Sequence, residues 1–395
     1  MTKATCYLIL LITIFHPVAL ADGHSQDKAS LTVGLRNDSC PNAKYSSIQN
    51  AIETATPGSD IFVCAGIYDE QPVITKSLRV RLDRNAVIRP SSMQQNGFSL
   101  SSGNPFAAII LVTNSMDVQI EGGQMDGSAS GITGCSPRLF GVVYQNSSGS
   151  VRDAKMRRVK LGPNLDGCQS GTAVLIQAGN GGTARVTVER LNIADYQKNG
   201  ITADGSGAYA KIYANRIVGS GPTDGAAQNG IQISFGAGGE ISRKNVVINN
   251  EWSGCISFSN CEFFATGILI EQSNNVRVFD NIVGNSQVNL VFEGDRNSAF
   301  RNSLFNAQVL DDVQIQGVDC EIAHNLITKA DHSGVFVSGD KARVEHNTFV
   351  EMPIGILKLA GVQQLEHDEN NFFHVDQDFV DPPPAGAARP QPEQP

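Results

Sequence analysis

An all-β solenoid forming a single domain is the fold class this sequence predicts, and three observations carry it. An apolar triplet recurs as Ile268-Leu269-Ile270, Leu290-Val291-Phe292, Val313-Gln314-Ile315, Val335-Phe336-Val337 and Ile356-Leu357-Lys358, with starts 22, 23, 22 and 21 residues apart. A second register runs in step with it, an apolar residue followed three positions later by Asn, in Val278/Asn281, Ile322/Asn325 and Val344/Asn347, with Phe300/Asn302 slipped by one. Between these short apolar segments no stretch shows a helical period. A repeat of this length means stacked supersecondary units, each burying its apolar face only against its neighbours. Looser copies precede it at Val174-Leu175-Ile176, Ile201-Thr202-Ala203 and Ile231-Gln232-Ile233, spaced 27 and 30 residues. The step from Ile231 to Ile268 is 37 residues and contains Trp252 and the close pair Cys255/Cys261. Loop excess in a repeat array collects on one face and marks its binding side.

The elements follow in chain order. Lys3, the apolar run Tyr7 to Ile14 and the small-residue site Ala19-Leu20-Ala21 read as a cleaved secretory signal over residues 1–21, since a membrane span needs about 20 apolar residues. Residues 22–39 read as a linker with a strand at Leu31 to Leu35. The period then changes: Ile48, Ala51, Ile52 and Ala55 share one helix face over residues 46–55, Ser46 with Gln49 makes a capping box, and Pro57-Gly58 stops the helix. A short amphipathic helix ahead of a strand array is a lid for the open solenoid end. Strands are expected at Asp60 to Cys64, Gly66 to Tyr68, Leu78 to Leu82, Ala86 to Ile88, Ala107 to Val112, Val118 to Ile120 and Val142 to Tyr144. The solenoid is expected over residues 40–373, and residues 374–395, rich in Pro, read as a disordered tail.

The formal net charge is −9, with 7% aromatic residues. Such a chain has no basic surface with which to bind nucleic acid, and it suits a polyanionic glycan only where a divalent cation screens the charge. Of the 8 cysteines only Cys6 lies in the leader, and the spacings suggest Cys40 with Cys64, Cys135 with Cys168 and Cys255 with Cys261, leaving Cys320 free and buried; connectivity itself stays open. Disulfides and a leader without an anchor together imply a secreted or periplasmic protein.

The stretch Cys40 to Glu70 holds Ser-Ile-Gln-x-Ala-Ile, Pro-Gly-Ser-Asp-Ile and Gly-Ile-Tyr elements. It resembles the N-terminal cap and first coil of the pectin lyase-like right-handed parallel β-helix superfamily, in which pectin methylesterases and periplasmic NosD-type proteins start this way. The resemblance implies a single-domain right-handed parallel β-helix with a short N-terminal capping helix. The sequence lacks the Asp-Pro-His-Asp of mannuronan epimerases, the Gly-His-Gly with paired aspartates of polygalacturonases, the Arg-x-Pro-x-x-Arg of pectate lyases and the second half of the pectin methylesterase signature. What remains, over roughly Cys40 to Phe373, is similar to β-helix repeats of the carbohydrate-binding and sugar-hydrolase type, which transfer fold and not activity.

Strand alternation turns the first and third triplet residues to the core and the second outward, and the residue after the triplet also faces out. Equivalent positions stack about 4.8 Å apart into surface columns. The column after the triplet reads Gln145, Gln177, Asp204, Ser234, Glu271, Glu293, Gln316, Ser338. Asp204, Glu271 and Glu293, with Lys198, are the candidate catalytic residues, because carboxylates one coil apart either raise a pKa or share a cation such as Ca2+. The alternative is a solvated strand edge whose charges discourage aggregation. Two similar phrases, Tyr196 to Ile201 and Ala226 to Ile231, end in Asn-Gly before the triplet, a pair that a tight turn demands. Tyr196, Asn199, Gln228, Asn229 and Gln232 are candidate substrate-binding residues, able to hydrogen-bond sugar hydroxyls.

The second outward column is Val143, Leu175, Thr202, Gln232, Leu269, Val291, Gln314, Phe336. Its apolar members are covered by a loop or the C-terminal tail, or they mark a partner surface. His324 and His346, with His367 roughly in line, read as a surface stack, since spacing provides no third metal ligand; no metal site is assigned. The Asn positions 281, 302, 325 and 347 read as a hydrogen-bonded ladder. Two functions are consistent with this pattern: an exported protein that binds or processes a carbohydrate along its outer face, as a lyase, hydrolase or epimerase if it is an enzyme, and a non-enzymatic scaffold that docks a protein on its apolar column.

Overall fold

A computed structural model describes residues 30–35, 40–261 and 263–381; the expected leader lies outside them. Its strands join into three parallel stacks, each turn of chain contributing one strand to each. The front stack carries the triplets and runs through Arg138–Gln145, Thr172–Gln177, Asn199–Asp204, Asn229–Ser234, Thr266–Glu271, Val288–Phe292, Val313–Ile315 and Ser333–Val337. Its register aligns Ile201, Ile231, Ile268, Leu290, Val313, Val335 and Ile356. Among the described strands Gly97–Phe98 departs from the parallel pattern, running antiparallel to Pro105–Phe106.

The alternation holds. Ile268 and Ile270, Leu290 and Phe292, Val313 and Ile315 are fully buried in one continuous apolar core that runs the length of the solenoid. The slipped repeat at Phe300 resolves itself, because Ala299 is the residue paired with Val278 and Ile322. Phe300 instead stacks outside on Phe279, with ring centroids 4.9 Å apart. With an alanine in the core position, the period does not show in large apolar side chains alone.

The Asn ladder is longer than the four members expected. Nδ2 of Asn215 donates to Asn245, Asn245 to Asn281, and so on through Asn302, Asn325, Asn347 and Asn370, at 2.8–3.1 Å. Each interior amide also donates to main-chain oxygens, as Asn325 does to Ala299 and Ala323, so a buried corner of every coil has its polar groups paired. The residue before each Asn is left-handed, with φ of 57° at Asp280, 54° at Arg301, 57° at His324 and 56° at His346.

Both ends differ in detail from expectation. The helix spans Ile48–Thr54 with Ser47 as N-cap, and the box expected of Ser46 and Gln49 does not form. Glu70 of the next turn takes its place, accepting from Ile48 N at 2.9 Å, Gln49 N at 3.0 Å and Ser47 Oγ at 2.7 Å; a carboxylate at a helix N-terminus satisfies the unpaired amides. The Gln49 side chain accepts from Val73 N instead. The strand expected at Leu31 to Leu35 is found at Ser30–Val33, where it pairs with Asp60–Val63. At the other end the solenoid does not stop at Phe373. Asn371–Val380 pairs in parallel with Thr348–Lys358, and Phe372, Val375 and Phe379 pack on the core; Pro382, not the preceding residues, is where composition changes.

The three suggested disulfides, Cys40–Cys64, Cys135–Cys168 and Cys255–Cys261, are present, and Cys320 is free and buried. Burial pushes its thiol up to about 11, which keeps it protonated and unreactive. Among the described residues no helix is long and apolar enough to cross a membrane.

Candidate functional site

The outward apolar column decides where the site is. Val143 and Leu175 pack with Phe106 and Phe140 in one satellite cluster at the start of the front stack. Leu269 and Val291 pack with Phe264, Trp252 and the Cys255–Cys261 bridge in another. The loop that carries this disulfide is therefore the cover over the second cluster. Phe336 is 2% exposed, so among the described residues this apolar member of the column is also covered. Between the two clusters the same column reads Thr202 and Gln232, and here the front stack opens into a cleft of about 420 Å³.

Lys198, Asn199, Asp204 and Gln232 line this cleft over an apolar patch of Phe140, Leu175 and Phe235. Its far wall is a loop absent from the expectations above, Ser99 to Asn104, which leads into Pro105–Thr113. Ser101 Oγ donates to Asp204 Oδ2 at 2.8 Å, and Gln177 Nε2 donates to the same oxygen at 2.6 Å. Gln177 Oε1 accepts from Leu100 N at 2.8 Å, so the loop is tied to the column at two successive coils. The column register Gln145, Gln177, Asp204, Ser234, Glu271 is as expected. Asp204 is buried, and among the described residues its Oδ1 has no hydrogen-bond partner; the same is true of Oδ1 of Asn199. Two such buried acceptors in one cleft wall are costly to the fold.

The remaining carboxylates lie behind this wall. Asn199 Nδ2 donates to Gln232 Oε1 at 2.8 Å, and Gln232 Nε2 donates to Glu271 Oε2 at 2.7 Å. Glu271 is 1% exposed. Burial pushes its carboxyl above the usual range, opposed by the Gln232 bond and the charge of Lys198 and reinforced by Asp204. Glu293 follows in register, and burial with the neighbouring Glu271 pushes it up to about 7. Neither glutamate lines the cleft. Lys198 is 4% exposed and donates from Nζ to Ala227 O at 3.0 Å.

Three of the candidate binding residues have other work. Tyr196 is buried in the solenoid core, where its hydroxyl donates to Asn250 Oδ1. Gln228 ties two turns together, donating to Tyr196 O at 2.6 Å and accepting from Ser220 N at 2.9 Å. Asn229 donates to Gln232 Oε1 at 3.3 Å and does not line the cleft. Nor do the Asn-Gly pairs make turns. Both lie inside strands, and glycine is required because a Cβ on Gly200 would meet Gly230 O at 2.4 Å and Ile217 Cγ2 at 2.6 Å.

His324 and His346 stack face to face, centroids 4.7 Å apart and planes within 1°, while His367 stacks on Phe379. Parallel rings direct their in-plane lone pairs along parallel lines, so this pair does not converge on one ion. Among the described residues no group of three or more His, Cys, Asp or Glu side chains is arranged to hold a metal.

Comparison with known proteins supports the fold. The model of a family described as periplasmic copper-binding protein (NosD) matches residues 215–381. The histidine stack in that part of the chain does not fit copper ligation, and most of the cleft lies ahead of the match. A GH136 lacto-N-biosidase from Eubacterium ramulus superposes with a TM-score of 0.55 at 10% identity, over 89% of this chain and 68% of the other. XylC in complex with xylose gives 0.52 at 10% identity, over 88% of this chain and 86% of the other. At such identity the likeness is one of fold alone. No curated protein sequence matches the chain.

Proposed function

We propose that this parallel β-helix is a secreted or periplasmic protein, similar to the pectin lyase-like superfamily, that binds an oligosaccharide in the front cleft between its two covering loops. The observation that carries this reading is the lining of the cleft, in which Lys198, Asn199, Asp204 and Gln232 stand over an apolar patch. Such polar groups suit sugar hydroxyls while the C–H face of a sugar ring covers Phe140, Leu175 and Phe235. Two of the structural neighbours are sugar proteins by name, and three disulfides suit an oxidising compartment. Recognition is favoured over hydrolysis: glycoside hydrolysis uses two carboxyls flanking the scissile bond, and the described lining of the cleft carries one, Asp204.

The test is a panel of oligosaccharides measured for binding, for unsaturated products and for new reducing ends, with and without Ca2+, on the wild type and Asp204→Asn. In the variant the amide oxygen still accepts from Ser101 and Gln177, so its NH2 group replaces the partnerless acceptor with a donor. Loss of a hydrogen bond to a charged group weakens binding about 10-fold or more. Silence of the wild type across the panel overturns the reading.

A further inference from the structure

We infer that Arg138 is a specificity residue that reads an anionic group on the bound glycan, a carboxylate or sulfate ester carried by a sugar unit next to the one held at Asp204. This rests on the cleft being a glycan site. Arg138 stands where the cleft meets a second pocket of about 370 Å³ beside the Cys135–Cys168 bridge, and Asn104, Arg138 and Gln169 line both. The two pockets therefore form one groove with the guanidinium at their junction, room for more than a single sugar. Among the described residues no hydrogen bond or salt bridge satisfies the Arg138 side chain, whereas Arg79, Arg81, Arg152, Arg158, Arg190 and Arg301 each pair with a carboxylate.

Burial holds the Arg138 guanidinium below its usual range with no opposing carboxylate. A partly desolvated fork of five donors that the fold leaves empty is suited to a planar carboxylate or a sulfate. Overall acidity, a net charge of −9, argues against an acidic glycan along the whole surface, whereas at the junction of the two pockets the charged side chain is the Arg138 guanidinium.

Matched ligands test this. Tetragalacturonate is compared with its fully methyl-esterified form, and a sulfated galactan tetrasaccharide with its desulfated form, by calorimetric titration at 20 and 200 mM NaCl. The wild type is expected to prefer one acidic member over its neutral counterpart by about 10-fold or more, a preference that shrinks at the higher salt. Which pair shows it separates carboxylate from sulfate. Arg138→Gln is expected to bring the ratio of acidic to neutral affinity to about one, and Arg138→Lys to retain part of it because the charge stays while the fork is lost. Unchanged melting temperatures of both variants exclude misfolding as the cause. Equal affinity of the wild type for acidic and neutral members, or an Arg138→Gln ratio equal to that of the wild type, overturns the inference and leaves the glycan site standing. Binding of no member by the wild type overturns both.

Discussion

Glu293 carries a carboxyl that burial and the neighbouring Glu271 push up to about 7 from an ordinary 4.5. Between those two values the folded protein keeps a proton that the unfolded chain has released. Stability therefore falls as pH rises through this window and is level above it. The full gap corresponds to about 3 kcal/mol, and since Glu293 is partly exposed, solvent screening reduces the expectation to about 2 kcal/mol. Glu293→Gln keeps the shape and removes the titration. The variant is expected to match the wild type at pH 4.5 and to be more stable by that amount at pH 8, read from urea midpoints at constant m. Glu271→Gln removes the repulsive neighbour but not the burial, so it lowers the Glu293 pKa only part of the way. A stability difference between wild type and Glu293→Gln that is flat from pH 4.5 to 8, or that grows toward acid, refutes the reasoning.

Two further substitutions probe the frame around the site. Asn325→Ala removes donors to Ala299 O, Ala323 O and Asn347 Oδ1 and an acceptor for Asn302 N; at about 1–3 kcal/mol for each buried group left unpaired, the loss is expected to reach several kcal/mol in chemical denaturation, with Asn325→Asp failing to rescue it. The double variant Cys255→Ser, Cys261→Ser opens a loop with a sequence separation of only 6, so the expected loss is about 2 kcal/mol, accompanied by cleavage within the loop and greater binding of an apolar dye at the uncovered Leu269 and Val291.

Periodicity made the solenoid legible because its cause is local and repeated: strand alternation turns one side chain of each triplet inward at every coil, whatever the loops do. The column positions of Asp204, Glu271, Glu293 and Gln232 follow from the same alternation. The acidic residues were not equivalent, however. Asp204 lines the cleft while Glu271 lies sealed behind Gln232, and one-dimensional spacing carries no information on what covers a column. The Ser99 to Asn104 wall is not legible as a neighbour of Asp204, about 100 residues further along the chain, although the long interval between the strands ending at Ile88 and beginning at Pro105 signals an inserted loop.

Tyr196 and Gln228 show the opposite failure. A polar residue beside a candidate column reads as a ligand contact, yet here the chain spends both on holding adjacent coils together. Sequence by itself determined the repeat, the outward columns and the polar interval at Thr202 and Gln232, and it suggested the disulfide partners that the structure then joins. Tertiary structure alone decided which members of those columns meet in one open cleft. Loops from distant turns cover the apolar stretches on either side, and Arg138, without a partner among the described residues, comes within the same groove only once the coils are stacked.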